Sequence, residues 1–420
     1  MRIFKFGGAS IQTIERMKST GAILKNDPRE KMLLVISAMG KTTNALEKVA
    51  ESFFSGNSKE ALSLFNRVKQ QHLDTLKYIT VLNWQAAENR MKDFFTEVEW
   101  LLHDKPVKDY DFYYDQIVCC GELLSTWILY QYCVEEKLNA CWVDVRDIIR
   151  TDDNFREAAI DWAYTQQKVE TEIKKLFHTY DIVITQGFIG ATDENESTTL
   201  GREGSDFTAA IFANLLDAFS LTIWKDVDAV MNADPRQFKD AIGIPSLSYS
   251  EVIEMAYYGA QVIHPKTIKP LQNKNIPLYV KSFLNPQLPG TLISSTLSKK
   301  LPPVIVKKEN QVLMQFSSKD FSFVEGKPVQ QLQEIFKTAR LNPNLIQNSA
   351  ISLLCCFDDR PEKIEQIALE AGIQFNVSLE KNLTLLTIRH YDDDIVKELT
   401  ENKTIVLLQK TPVTLQALFR

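Results

Sequence analysis

The chain has 420 residues, of which 45% are hydrophobic and 24% charged, with a formal net charge of −6. This length predicts two or three domains, and the negative charge disfavours a general nucleic-acid surface. No apolar run approaches the ~18 residues of a membrane span and no signal-peptide pattern is present, so we expect a cytoplasmic protein without membrane contact. The six cysteines lie in apolar runs without Cys-x-x-Cys spacing, which predicts buried, reduced thiols and no metal cage.

Short β-branched runs alternate with helical patterns through roughly the first 290 residues, which predicts an α/β fold. Continuous apolar strands indicate a mostly parallel sheet with helices on both faces, an αβα sandwich. Residues 45–110 instead carry long 3.6-residue patterns, which predict a helical insertion after the second strand. The predicted strands are Arg2–Phe6, Met32–Ser37, Ala140–Asp144, Asp181–Gln186, Leu221–Lys225 and Leu278–Val280.

Turn residues, serines and lysines between Leu288 and Pro303 indicate a linker, so we predict one domain over 1–295 and a second region over 296–420. The length and rhythm of that region fit small α+β modules of βαββαβ type. Its predicted strands are Val304–Lys307, Val312–Ser317, Ser349–Phe357, Leu383–Arg389 and Ile405–Gln409, and its predicted helices are Val329–Lys337, Pro361–Glu370 and Asp392–Glu401.

The first strand runs into a Gly-Gly turn that could hold phosphate. Lys5 precedes Gly7 and Gly8, and Ser10 stands where a helix could begin. Glycines allow a ligand to approach their N–H groups, while a lysine and a helix N-terminus add positive charge. The Gly-x-x-x-x-Gly-Lys spacing of a P-loop is absent, so the turn is a phosphate-loop candidate of another kind.

Two further loops carry polar residues at strand or helix ends. The loop from Ser37 to Asn44 offers the hydroxyls of Ser37, Thr42 and Thr43 to a ligand, or Thr43 or Asn44 simply caps the next helix. Glu122 falls in a first helical turn, where it is either a partner of the helix dipole or an acceptor for a substrate ammonium. The carboxyl ends of parallel strands meet at one edge of a sheet, so these loops are expected to converge.

The run Thr198-Thr199-Leu200-Gly201-Arg202-Glu203-Gly204-Ser205-Asp206 carries the strongest signal. Arg202 offers a planar fork for a carboxylate or phosphate, and Ser205 adds a donor at a helix start. Asp206 beside an anion site suggests Mg²⁺ or an ammonium as mediator. A solvated charged turn is the alternative, and the two glycines around the Arg-Glu pair disfavour it.

The chain next places Lys225 and Asp226 at a strand end, before a loop that contains Asp234-Pro235-Arg236. This loop is either a nucleotide loop, with Arg236 near phosphate or ribose, or an ordinary turn. His264, which precedes a proline, is interpreted as a structural histidine.

Taken in order, these motifs resemble those of the aspartokinases, members of the amino acid kinase superfamily with C-terminal ACT domains. The motifs are Lys-Phe-Gly-Gly-Ala-Ser, Ser-Ala-Met-Gly-Lys-Thr-Thr-Asn, Gly-Glu-Leu-Leu-Ser, Gln-Gly-Phe-Ile-Gly, Thr-Thr-Leu-Gly-Arg-Glu-Gly-Ser-Asp and Asp-Pro-Arg. The resemblance implies phosphorylation of the side-chain carboxylate of L-aspartate by ATP with Mg²⁺, which opens lysine, threonine and methionine biosynthesis. The implied catalytic residues are Lys5 and Asp206, the latter also a possible Mg²⁺ ligand. The implied aspartate-binding residues are Thr43, Glu122, Arg202 and Ser205, and the implied ATP-binding residues are Lys5, Gly7, Gly8, Ser10, Lys225, Asp226, Met231, Arg236 and Gln261.

Four positions depart from the pattern of the family. Ala9 replaces a usual Thr, Glu203 stands where Gly or Asn is usual, Lys225 replaces Thr, and Gln261 replaces a Lys that faces the nucleotide. We hypothesise that Lys225 compensates for the charge lost at Gln261.

The C-terminal region departs further, because the second ACT module looks shortened. Lysine-sensitive relatives carry an Asp where this chain has Asn344 and an acidic residue where it has Ala350. Each charge-assisted bond lost at an ammonium weakens binding by ~1.5–3 kcal/mol, so we predict weak or absent lysine inhibition. The ACT-like pair is expected to form a homodimer interface, with an amino-acid effector left open.

Related glutamate, carbamate and uridylate kinases share the fold, but the Thr198–Asp206 run and the ACT-like tail disfavour them. A non-catalytic amino-acid sensor is the alternative from another class, disfavoured because Lys5, Glu122, Arg202 and Asp206 are all present.

Overall fold

The computed structural model describes residues 1–25, 31–81, 83–260, 262–296 and 300–420. Gln261, one of the predicted ATP-binding residues, lies outside these ranges. The described residues divide into two compact units. Those within 1–230, 243–256 and 261–298 form the first unit, and those within 231–242, 257–260 and 299–420 form the second.

The first unit is built on an eight-stranded sheet within the described residues. Its strands are β1 (Arg2–Phe6), β2 (Met32–Ile36), β3 (Ala140–Trp142), β4 (Ile182–Gln186), β7 (Ser220–Lys225), β8 (Ser246–Ser248), β9 (Leu278–Ser282) and β10 (Thr291–Ser294), with a separate hairpin of β5 (Ile189–Ala191) and β6 (Ser197–Thr199). The order across the sheet is β3-β4-β2-β1-β7-β9-β10-β8. All neighbours pair in parallel except β9 with β10, as the continuous apolar runs predicted.

Helices pack on this sheet and extend from it. They are α1 (Ile14–Lys25), α2 (Thr42–Phe54), α3 (Ser58–Ile79), α4 (Trp84–His103), α5 (Tyr110–Val118), α6 (Cys120–Glu135), α7 (Trp162–Lys168), α8 (Lys174–Leu176), α9 (Gly204–Leu215), α10 (Tyr249–Tyr258) and α11 (Pro265–Asn273). The end of α10 groups with the second unit. Strands β2 and β4 are buried along their whole length, because α6 and α9 pack against the centre of the sheet. The predicted α/β class is confirmed.

The predicted helical stretch after the second strand contains α2, α3 and α4. Their apolar faces meet in an aromatic contact between Phe65 and Phe95, whose ring centroids lie 6.1 Å apart. His72 is fully buried on α3, and this burial lowers the pKa of its imidazole to about 4, so the ring is neutral. The stretch Tyr110–Glu135, α5 and α6 together, is long and apolar enough to cross a membrane. Because 83% of its apolar 18-residue window is buried inside the structure, it is a core element.

The second unit is an antiparallel sheet of order β12-β13-β11-β14-β16-β15. Its strands are β11 (Val304–Ser318), β12 (Leu345–Asn348), β13 (Ser352–Asp358), β14 (Phe375–Arg389), β15 (Ile405–Lys410) and β16 (Thr414–Phe419), and its helices are α12 (Lys327–Thr338), α13 (Pro361–Gly372) and α14 (Asp393–Thr400). Helices α12 and α13 cover one apolar cluster around Met314 and Phe357. A second cluster, around Ile388 and Leu415, is covered by α14 together with Phe238.

The boundaries predicted for this unit were partly wrong. Val304–Lys307 and Val312–Ser317 form one 15-residue strand, whose pairing shifts register between Lys308 and Leu313. The strand predicted at Leu383–Arg389 begins at Phe375. Strands β12 and β16 were not predicted. Half-exposed antiparallel strands with a bulge give weaker alternation than strands buried on both faces.

All six cysteines, which lie in the described ranges, are free and buried. Burial raises the pKa of each thiol; for Cys355 and Cys356 it rises to about 12. The predicted burial of the thiols is confirmed.

Candidate active site

A buried ion pair lies at the carboxyl end of the central strand. The ammonium of Lys5 on β1 is 2.7 Å from Oδ1 of Asp206, which lies in the first turn of α9. The two side chains are only 12% and 4% exposed. Burial alone would raise the pKa of Asp206, but the ammonium groups of Lys5 and Lys225 hold it below its ordinary value. Asp206 is therefore a carboxylate at neutral pH, beside two lysines from adjacent strands.

The two glycine loops that follow β1 and β2 interlock. The Gly40 N–H donates to the Gly8 carbonyl at 3.0 Å. A Cβ atom on Gly8 would lie 2.5 Å from the Ala38 carbonyl oxygen and 2.9 Å from that of Gly40. Only glycine fits this approach, since real Cβ atoms do not tolerate such distances. Ser10 is buried and its hydroxyl donates to the Gly7 carbonyl at 2.6 Å, which closes the turn.

Glu122 reaches this second loop from the first turn of α6. Its Oε1 accepts the Ala38 N–H at 3.2 Å, while its Oε2 is buried and has no hydrogen-bond partner among the described residues. Burial raises the pKa of Glu122 to about 8, although the Ala38 N–H and the Lys5 charge act in the opposite direction. The side chain is 2% exposed. A buried carboxyl group with an unused oxygen is suited to a cationic ligand group.

The N-cap of helix α2 is neither of the two residues, Thr43 and Asn44, that the sequence offered for it. The helix begins at Thr42, so Lys41 is the N-cap residue and neither Thr43 nor Asn44 is. The Thr42 hydroxyl donates to the Met39 carbonyl at 2.6 Å, and Thr43 is partly exposed on the first turn.

The loop before α9 has a strained, tightly packed backbone. Gly201 has φ +73°, and Glu203 is left-handed with φ +54°. Ser205 is buried, and its Cβ would be only 2.5 Å from a Cβ atom at Gly187. The Arg202 side chain is exposed. An anionic ligand can therefore reach the Arg202 guanidinium from solvent.

A third segment, Val262–His264, is tied to the same region. The Lys225 ammonium donates to the Val262 carbonyl at 2.7 Å, and the His264 N–H donates to Oε2 of Glu203 at 2.9 Å. The His264 ring accepts the Lys266 N–H at 3.2 Å and so caps α11. This is the structural use that the sequence predicted for His264.

The remaining predicted nucleotide residues divide between the units. Asp226 is exposed in the first unit, next to Lys225. Met231 and Arg236 belong to the second unit. The Arg236 guanidinium is 79% exposed and pairs with Asp234 at 2.7 Å.

Comparisons with known proteins decide the family. The amino acid kinase family profile matches residues 1–282. The lysine-sensitive aspartokinase 3 of Escherichia coli K12 is 30% identical over 398 residues, which is 92% of this chain and 86% of that protein. The chloroplastic aspartokinase 1 of Arabidopsis thaliana is 32% identical over 382 residues, 86% of this chain and 64% of that protein. The chain belongs to the aspartokinases of the amino acid kinase family.

Solved structures extend this likeness over both units. E. coli aspartokinase III in complex with lysine and aspartate, in its T-state, has a TM-score of 0.82 at 26% identity and covers 100% of this chain and 95% of its own. The complex of the same enzyme with aspartate and ADP, in its R-state, has a TM-score of 0.81 at 27% identity, with 100% and 96% covered. This aspartokinase is thus an aspartate kinase (EC 2.7.2.4), and its second unit matches the aspartokinase regulatory region.

Sequence reasoning missed one buried residue that orders the site of this aspartokinase. Asp115 on α5 accepts the Thr199 N–H at 2.8 Å, the Thr199 hydroxyl at 2.7 Å and the Arg156 N–H at 2.9 Å. Burial raises its pKa to about 6 despite these donors. Asp115 therefore anchors the strand that leads into the Arg202 loop. The available signal was an Asp in the middle of the aromatic and apolar run at residues 112–118 of α5.

Proposed function

We propose that this aspartokinase transfers the γ-phosphoryl group of ATP to the side-chain carboxylate of L-aspartate, in line, giving 4-phospho-L-aspartate. This product would open lysine, threonine and methionine biosynthesis. The observation that carries the proposal is the buried Lys5–Asp206 pair at the carboxyl ends of the strands, flanked by the Gly8 loop and by Glu122. The complex of E. coli aspartokinase III with aspartate and ADP supports the choice of both substrates.

The chemistry needs no general base. An Asp side chain has an ordinary pKa of about 3.9, so the acceptor is already an anionic nucleophile at neutral pH. Catalysis then consists of positioning the two substrates and stabilising the transferring charge. Lys5 neutralises charge on the moving phosphoryl group, helped by the N–H groups of Gly7 and Gly8. Ser10 supports their turn through its bond to the Gly7 carbonyl.

The aspartate substrate is held by groups on three loops. Arg202 clamps the α-carboxylate with its planar fork. Glu122 receives the α-ammonium through its unused Oε2, and the ammonium in turn favours ionisation of this carboxyl group. Thr43 and Ser205 complete the pocket with hydroxyl groups at the starts of α2 and α9.

The nucleotide lies along the ends of β1 and β7 in this proposal. Gly7 and Gly8 meet its phosphates, and Lys225 and Asp226 line it at the end of β7. Met231, Arg236 and Gln261 are assigned to it by resemblance alone.

Magnesium fits this site as a nucleotide-borne ion rather than a resident one. Among the described residues, no group of three or more His, Cys, Asp or Glu side chains could hold a metal ion. Mg²⁺ in kinases is commonly bound through one or two carboxylates together with substrate phosphates. Asp206 is the carboxylate available for this, and its lowered pKa keeps it ionised. When bound, the ion would neutralise charge on the phosphates; Asp206 itself orients Lys5.

Three further expectations accompany the enzyme. A homodimer through the ACT-like region and a cytoplasmic location stay predictions; some plant relatives are named chloroplastic. Lysine is bound by the E. coli relative, but Asn344 and Ala350 disfavour it as an effector here.

The test is hydroxamate formation from aspartate, ATP, Mg²⁺ and hydroxylamine by the purified full chain, with glutamate as the control acceptor. Hydroxylamine traps an acyl phosphate, so a colour that requires both aspartate and ATP supports the proposal. Equal turnover of glutamate would contradict the substrate assignment, and binding of aspartate without turnover would favour a sensor.

A further inference from the structure

The segment Val262–His264 is held at both ends by charged side chains from two other loops. The Lys225 ammonium binds the Val262 carbonyl at 2.7 Å, and the Glu203 carboxylate binds the His264 N–H at 2.9 Å. Lys225 ends β7, and Glu203 immediately precedes α9, which carries Asp206. The two loops that tie down the segment are therefore the two that flank the Lys5–Asp206 pair.

Both bonds join a full charge to a main-chain dipole, which makes them stronger than neutral hydrogen bonds. Val262 and Ile263 are 8% and 1% exposed, so the apolar side chains of the segment are packed. The His264 ring is committed to the α11 cap. Besides this packing and the α11 cap, the side chains of Lys225 and Glu203 hold the main chain of the segment at its two ends.

The backbone of Glu203 supports a use for its side chain. With φ +54° and ψ +28°, the residue is left-handed, a conformation unfavourable for residues other than Gly and Asn. A Glu kept in this conformation points to a gain from the carboxylate that offsets the backbone cost.

We propose that Glu203 and Lys225 clamp the segment Val262–His264 and thereby set the affinity of this enzyme for its nucleotide. The inference rests on the proposed function, in which the end of β7 borders the ATP phosphates. Glu203 is a positioning residue, because it acts through the segment rather than on the substrates. Lys225 holds the main chain of the same segment, because its ammonium donates to the Val262 carbonyl.

The kinetic test compares three variants, Glu203→Gln, Glu203→Ala and Glu203→Gly. Loss of one charge-assisted bond should raise the KM for ATP about tenfold in the Ala and Gly variants, with kcat changed less than about twofold. Glu203→Gln retains an acceptor oxygen and should stay within about threefold of the parent. Asp193→Ala, which removes an exposed loop carboxylate of the same unit, is the matched control and should change nothing.

Thermal stability separates the clamp from a merely structural effect. Glu203→Gly should melt at a higher temperature than Glu203→Ala, because glycine adopts φ +54° without strain. If the clamp is correct, the two variants share one KM for ATP despite different Tm values. A KM that follows Tm across the series would overturn the proposal.

Hydrogen exchange tests the clamp without any substrate. The His264 amide should exchange about tenfold faster in the Ala and Gly variants and less than about threefold faster in Glu203→Gln. Unchanged exchange, or faster exchange with an unchanged KM for ATP, would overturn the inference. Faster exchange in a chain that makes no hydroxamate would instead refute the proposed function and leave the clamp standing.

Discussion

In each unit of this aspartokinase a lysine ammonium binds a polar side chain. The two pairs differ in whether a neighbouring polar atom is left without a hydrogen-bond partner. In the first unit Lys5 meets the carboxylate of Asp206 at 2.7 Å, next to Glu122, whose Oε2 has no partner among the described residues. In the second unit Lys308 donates to Oδ1 of Asn344 at 2.7 Å.

The amide of Asn344 is fully used. Its Nδ2 donates to Gln311 at 2.8 Å and to Asp358 at 2.9 Å, and Gln311 also donates to Asp358. These bonds hold the pKa of Asp358 below its ordinary value, although its burial acts the other way. Buried polar groups that satisfy one another stabilise a fold, whereas an unsatisfied carboxyl oxygen beside a charge pair is available for a ligand. The difference separates a candidate binding site from a structural network.

The largest expected effect comes from breaking the first pair. Lys5→Met and Asp206→Asn should each lower kcat by about 10²–10³, because one removes the charge that stabilises the phosphoryl group and the other frees it from its orienting partner. Rates at saturating aspartate and ATP measure this. Lys308→Met is the matched control from the second unit, and a comparable loss of kcat there would erase the distinction between the pairs.

Glu122 gives the pH dependence of the site. Its pKa of about 8 means that a minor fraction is ionised at pH 7, and only the ionised form accepts a substrate ammonium. The KM for aspartate should therefore fall roughly tenfold between pH 7 and pH 9. Glu122→Gln should raise this KM and flatten its pH dependence.

The raised pKa of Glu122 also predicts how the stability of the fold depends on pH. Because the folded-state pKa of Glu122 lies above the ordinary value of 4.5, the folded state binds more protons than the unfolded state between these values. Its contribution to stability is therefore lost as pH rises toward 8. Unfolding in urea at pH 5 and pH 8 should show a smaller loss for Glu122→Gln than for the parent. An equal loss would contradict the assignment.

The interlocked glycine loops should fail when a methyl group is added. Gly8→Ala places a Cβ atom 2.5 Å from the Ala38 carbonyl, so we expect about 1–3 kcal/mol of destabilisation and weaker ATP binding. Gly372→Ala is the control, since nothing lies within 4 Å of its added Cβ atom. Gly8→Ala should lower the Tm and raise the KM for ATP. Gly372→Ala should neither lower the Tm nor change the KM for ATP.

A smaller effect is expected when the Lys308–Asn344 pair is changed into a lysine–carboxylate pair like that of Lys5 and Asp206. Asn344→Asp removes a donor and sets a carboxylate near Asp358, while Lys308 partly compensates. We expect about 1 kcal/mol of destabilisation at pH 7, recovered as acid neutralises one of the two carboxyl groups. Differential scanning calorimetry at pH 7 and pH 4 checks the sign, and the KM for aspartate should not move.

The smallest effect is that of added lysine. With Asn344 already bonded on both ends and Ala350 in place of an acidic residue, inhibition by lysine should be weak or absent. A lysine titration in the hydroxamate assay measures it. Half-inhibition in the low micromolar range would show that the second unit recognises lysine by other groups.

The sequence by itself determined the fold class and the central strands, and it predicted the loops of the candidate site. Parallel strands buried on both faces appear as continuous apolar runs, so their ends, where Lys5 and Lys225 lie, were located within a residue or two. The second unit was predicted less well, because its half-exposed strands have no such runs and its 15-residue strands cross a register shift.

Only the tertiary structure decided which polar residues meet. Glu203 and His264 are 61 positions apart, and Asp115 and Thr199 are 84 apart, so no local pattern could pair them. Burial likewise raises the pKa of Glu122, and the opposing contributions of the Ala38 N–H and the Lys5 charge come from residues far from it in the chain. Sequence patterns record periodicity and local geometry, while charge balance in a buried site depends on contacts across the chain.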